Sequence, residues 1–96
     1  MTAYIIAQLK FTDLDSYRKY QRAFPKVFGR FRGTIVIADE HPRLLEGHWE
    51  RDKVVVLSFP SEEDALAFQN SDEYRLIARD RKAGAEATIL LVRQFS

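Results

Sequence analysis

Hydrophobic and polar positions alternate at the start of the chain and then change period. In residues 3–11, Ile5, Ala7, Leu9 and Phe11 share one wholly apolar face, which predicts a strand. The opposite face begins with Tyr4 and Ile6 and turns polar at Gln8 and Lys10. Thr12 and Asp13 then stand as N-cap candidates, with Asp15 where a carboxylate suits the helix dipole. Tyr17, Tyr20, Phe24, Val27, Phe28 and Phe31 follow at spacings of three and four and predict a helix to about Phe31. Pro25 removes the hydrogen bond to the carbonyl of Gln21 and crowds that turn, so a kink or two helical pieces are expected. Gly29 and Gly33 loosen its end.

Residues 34–38 form a β-branched strand, which Asp39-Glu40-His41-Pro42 interrupts. Residues 43–50 read as extended, either as a new strand or as a bent continuation of the last, with a hairpin turn at Arg51-Asp52. Residues 53–59 are the clearest strand in the chain. Ser61 followed by Glu62, Glu63 and Asp64 starts a helix whose inward positions are Ala65, Leu66 and Phe68. Ser71-Asp72-Glu73 repeats the signal and opens a second segment with Tyr74, Ile77 and Ala78 inward, ended by Gly84. Residues 86–93 are the last strand.

The order β-α-β-β-α-β predicts a ferredoxin-like α+β fold, an antiparallel sheet with both helices on one face. Right-handed crossovers leave the other face uncovered. Yet Val54-Val55-Val56-Leu57 and Ile89-Leu90-Leu91-Val92 are apolar on both sides. Four strands at about 4.8 Å spacing and about 20 Å length present roughly 400 Å² of such surface in flat projection. Patches of that size are uncommon on monomers, and a second copy of the same sheet is the simplest cover. A homodimer joined through the open sheet face, closing into an α+β barrel, is therefore expected.

The 96 residues fit one domain, residues 1–96. A net charge of +1 supplies no global field toward nucleic acid or an anionic membrane. With no cysteine there is no disulfide, thiolate nucleophile or Cys-type zinc site. The apolar runs fall far below the roughly 20 residues of a spanning helix, and the start carries no signal-peptide pattern, so a cytoplasmic location is the default expectation.

With that architecture in place, Leu45-Glu46-Gly47, Phe59-Pro60-Ser61 followed by Ala65, Ser71-x-x-Tyr74 and Arg81 resemble the family called domain of unknown function 1330. The resemblance runs over nearly the whole chain. It implies membership of the dimeric α+β barrel superfamily and matches Glu46 to the family's recurring acid. It implies no activity, because superfamily relatives range from cofactor-free monooxygenases and lactone isomerases to peroxidases and stress-responsive proteins. The chain departs from the family in two places. It has Ala38-Asp39-Glu40 where an Arg-Gly-Gly segment is frequent, and Asp72 where proline commonly follows the serine.

Several residues are candidates for chemistry. Glu46 and His48 stand two apart on an extended segment and would share a sheet face, where a carboxylate can orient an imidazole as general base. A two-residue turn at Arg51-Asp52 puts them with Val55 and Leu57, and a three-residue turn puts them with Val54 and Val56. The competing reading is an edge strand whose charges block further pairing. Most of the aromatic residues read as core, with a pocket between sheet and helices near Tyr17 and Phe28. Arg81 could hold an anionic ligand through its forked donors, or pair with Glu73 or Asp80. Arg18, Arg22, Lys26 and Arg30 recur every fourth residue and read as a solvated face, because no aromatic residues interleave there to stack bases. His41 and His48 are the only histidines, and no metal site is expected.

Three functions are open at this level. The first is a dimeric protein that binds or transforms a small apolar or oxygenated molecule without a cofactor. The second is a non-catalytic dimeric structural or regulatory module. The third is nucleic-acid binding through the basic helix, for which the near-balanced charge offers least support.

Overall fold

A computed structural model describes all 96 residues. The elements follow in the order β1 (Ala3–Phe11), α1 (Leu14–Phe28), β2 (Thr34–Asp39), β3 (Lys53–Phe59), α2 (Glu62–Gln69), α3 (Asp72–Gly84) and β4 (Ala85–Arg93). All three helices begin at a side-chain cap. Asp13 accepts from the Ser16 N–H, Ser61 from Asp64 and Ser71 from Tyr74, each satisfying one of the donors a helix start leaves free. The four strands form one sheet in the order β2-β3-β1-β4, with every neighbouring pair antiparallel. The fold is the ferredoxin-like α+β arrangement.

Two local expectations are corrected. Residues 43–50 form no strand; 40–52 run without regular structure between β2 and β3. Gly47 sits in that segment at φ 89, a conformation that ends any two-residue alternation. The first helix ends at Phe28 rather than Phe31, and it runs through Pro25 as one element rather than two. Gly29 closes it by donating to the Pro25 carbonyl at 2.9 Å.

Register sorts the side chains. Ile5, Leu9, Leu57 and Phe59 face the helices and are buried. On the other face one row crosses all four strands, pairing Ile37 with Val56, Val56 with Ile6 and Ile6 with Leu90. Nothing in the chain covers this row: Ile37 is 43% exposed and Leu90 48%. The molecule measures 32 × 31 × 16 Å, the thickness of one sheet plus one helical layer.

The core is aromatic. Phe68 is fully buried, and its ring centroid lies 4.5–5.9 Å from those of Phe24, Phe28, Phe31, Phe59 and Tyr74. Most of these contacts are edge-on or tilted, the arrangement favoured by ring quadrupoles. The helices meet where α3 ends. The Gly84 carbonyl accepts from Thr12 and Asp13 at 2.9 and 3.1 Å, and a Cβ at position 84 would stand 2.4 Å from the Tyr17 nitrogen.

Gly84→Ala tests this close approach. Helix propensity alone would favour alanine by up to about 1 kcal/mol. Steric displacement of backbone should instead destabilise by about 1–3 kcal/mol, a fall in Tm of about 4–8 °C per kcal/mol at this size. A thermal melt that rises on substitution would contradict the packing.

Candidate functional site

Between the sheet and the helices lies a cavity of about 230 Å³. Its floor comes from inward positions of the strands: Ile5, Ala7 and Leu9 of β1, Lys53, Val55 and Leu57 of β3, and Ile89 of β4. Ala7 occupies the middle of the β1 face with a single methyl group, which leaves room where a larger side chain would fill it. The stripe of α1 supplies Tyr17, Tyr20 and Phe24, α2 supplies Phe68, and α3 supplies Tyr74 and Arg81. Exposed Gln21 and Pro25 of α1 and exposed Ile35 and Ala38 of β2 also line it, so the opening lies between α1 and the β2 edge. Of its 18 lining residues 13 are hydrophobic and none is acidic, so the cavity suits an apolar molecule with few polar atoms.

The polar atoms that are present form a connected set. Tyr74 and Arg81 lie two turns apart on one face of α3, and the Arg81 Nε donates to the Tyr74 hydroxyl at 3.2 Å. The hydroxyls of Tyr74 and Tyr20 lie 3.0 Å apart, and either can donate. The Tyr17 hydroxyl makes no hydrogen bond within the chain. Burial, reinforced by the charge of Glu40, pushes Tyr17 up to about 12, and burial beside Tyr74 raises Tyr20 well above the ordinary phenol value. Both therefore keep their protons at neutral pH. Neutral hydroxyls and a fixed guanidinium can hold ligand oxygens and stabilise negative charge that develops on one of them.

A second group of charges braces the side of the cavity. Arg18 of α1 grips Glu40, just beyond β2, through two bonds at 2.5 and 2.7 Å. Lys53, 4% exposed, approaches the same carboxylate at 3.5 Å and stands 4.9 Å from the centre of the Tyr17 ring. Hydrogen bonds from Arg18 hold Glu40 at about 2, and burial pushes Lys53 down against the pull of Glu40. Arg18 stays on the helix surface, its side chain 34% exposed, but its charge is paired with Glu40, while Arg22, Lys26 and Arg30 remain exposed. No group of three or more histidine, aspartate or glutamate side chains converges to hold a metal ion.

Of the sequence candidates, Tyr17 and Arg81 line the cavity. Phe28 is buried behind it, stacked on Phe24 at 5.0 Å. Glu46 and His48 lie exposed on either side of Gly47 in the irregular segment and are not among the cavity residues, so the shared sheet face that would join them to it is absent. Sequence reasoning passed over Lys53 and Glu40. Lys53 had a signal: the alternation that places Val55, Leu57 and Phe59 inward places Lys53 inward too. Glu40, on an irregular segment, had none.

The model of the family described as domain of unknown function (DUF1330) matches residues 2–95. The chain belongs to that family. Its Ser71-x-x-Tyr74 motif is the α3 cap and the tyrosine it aims inward, and Arg81 is the guanidinium bound to that tyrosine. A comparison with curated proteins finds no match in sequence. Among solved structures, a protein of unknown function from Rhodopseudomonas palustris superposes with a TM-score of 0.82 at 17% identity, over 99% of this chain and 83% of its own. A dimeric ferredoxin-like protein of unknown function from Thermobifida fusca gives 0.68 at 17% identity, over 98% and 92%. SnoaB, a cofactor-independent oxygenase from Streptomyces nogalater, gives 0.72 at 9% identity, over 99% and 94%. At these identities the likeness is one of fold.

Glu40→Gln tests the charged brace. The folded Glu40 titrates below its ordinary value of 4.5, so its stabilisation is complete above that value and is lost as pH falls through about 2. Removing the charge leaves Lys53 buried without a partner, although solvent screening on the Arg18 side moderates the loss. The variant should be less stable by about 1–3 kcal/mol at neutral pH. In urea melts the gap should close on acidification from about pH 5 toward pH 2; a gap independent of pH would contradict the ion pair.

Proposed function

We propose that this chain forms a homodimer, open sheet face against open sheet face, in which each subunit binds a small, largely apolar, oxygenated molecule in its own cavity. Any chemistry there would proceed without a cofactor. The observation that carries the reading is the cavity itself: apolar walls with three tyrosines and one arginine gathered on the helix side. An apolar cavity of about 150 Å³ is enough to admit benzene, so this one has room for a substituted single ring. The SnoaB fold carries oxygenase chemistry without a cofactor, which makes such a use of this scaffold reasonable. One observation favours a second reading, a non-catalytic dimeric module: Glu46 and His48, the acid–base candidates, stay outside the cavity.

The dimer is supported by the uncovered Ile37–Val56–Ile6–Leu90 row and by the dimeric description of the Thermobifida neighbour. A face of this kind is normally buried against a self-complementary copy.

Two measurements check these parts separately. Phenol titrated into ¹⁵N-labelled protein should shift amides around Ala7, Tyr20 and Tyr74, and Ala7→Leu should abolish the shifts by filling the floor, without loss of stability because the added atoms enter empty space. Shifts elsewhere, or none, would count against the pocket. Val56→Asp should give soluble monomer or misfolded protein, and an unchanged dimer by light scattering would refute that placement of the interface.

A further inference from the structure

The charges around the cavity do not balance. Glu40 is engaged by Arg18 and Lys53, and no acidic residue lines the cavity. Arg81 is 93% buried by its 7% exposure, yet no carboxylate comes within 4 Å of it. Its only hydrogen bond as donor is from Nε to the Tyr74 hydroxyl, so its two terminal nitrogens are unengaged. No buried side-chain nitrogen in the chain is left without a partner, so these two free nitrogens are accessible, and a guanidinium held there without a counter-charge gains when an anion arrives. The terminal nitrogens form a planar fork that matches a carboxylate. Tyr74 fixes the Nε side of that fork, and the unbonded Tyr17 hydroxyl is a further donor on the cavity wall.

We infer that the cavity takes a small aromatic or aliphatic monocarboxylate, its carboxylate seated on Arg81 and its hydrocarbon part against Ala7, Val55, Leu57 and Phe24. The inference rests on the pocket reading above and adds the charge of the ligand. Exchange of a neutral polar end for a carboxylate should strengthen binding, because bonds to charged partners are roughly twice as strong.

The test uses two probes of equal size, phenylacetate and its neutral isostere phenylacetamide, titrated calorimetrically into the full chain at neutral pH. Phenylacetate should bind at least about tenfold more tightly. Arg81→Gln should remove that preference and leave phenylacetamide binding in place, which also certifies that the variant is folded. Arg81→Lys should retain part of the preference. Equal binding of the two probes to the unmodified protein would overturn the carboxylate assignment and leave the pocket standing. Binding of neither probe would overturn the pocket and the assignment together.

Discussion

Crossovers between parallel strands of one sheet are right-handed with few exceptions, and from that constraint the rest of the molecule follows. The helices are forced onto one side of a four-stranded sheet. On that side every strand must present a face for burial, and the stripes of α1 and α3 must close over it. Where helix and strand side chains interdigitate, around Phe68, the layer is solid. Where the sheet offers Ala7 and the helices offer tyrosines tied to each other through their hydroxyls, it is hollow. Core and cavity are thus two outcomes of one packing problem, decided by side-chain size at a few positions.

The same layer also holds charges that a simple core would exclude. Lys53 and Arg81 are buried in it, and only Lys53 has an acid beside it. The first case resembles a structural ion pair with most of its desolvation cost offset. The second has its geometry fixed by Tyr74 and its charge left open. That asymmetry is what sets Arg81 apart from Lys53.

Much of this was legible in the residues. Alternation gave the inward face of β1, the Ser-led acidic starts gave α2 and α3, and the Tyr17–Tyr20–Phe24 stripe gave the buried side of α1; β3, apolar on both sides, gave no face of its own. Two kinds of information were not legible. The first is backbone conformation at isolated points: nothing in Leu45-Glu46-Gly47-His48 distinguishes a strand from a chain turned by a glycine at positive φ. The second is contact between distant segments. Glu40 meets Arg18 and Lys53 only because β2 lies beside β3 and α1 passes over them, and no local spacing encodes that meeting. Arg81 was legible as an arginine suited to anions, but its freedom from Glu73 and Asp80 depends on the side of α3 that packs inward.

The residues that line the hollow face the helices, and the bare surface proposed to meet a second copy lies on the far side of the sheet. On the proposed reading, pairing and ligand capture would therefore be separable. An assembly joining one intact and one disabled subunit would keep one working chamber, indifferent to the state of its neighbour. Over evolutionary change the two surfaces are free to drift apart, so one partnership of sheets can host many different guests.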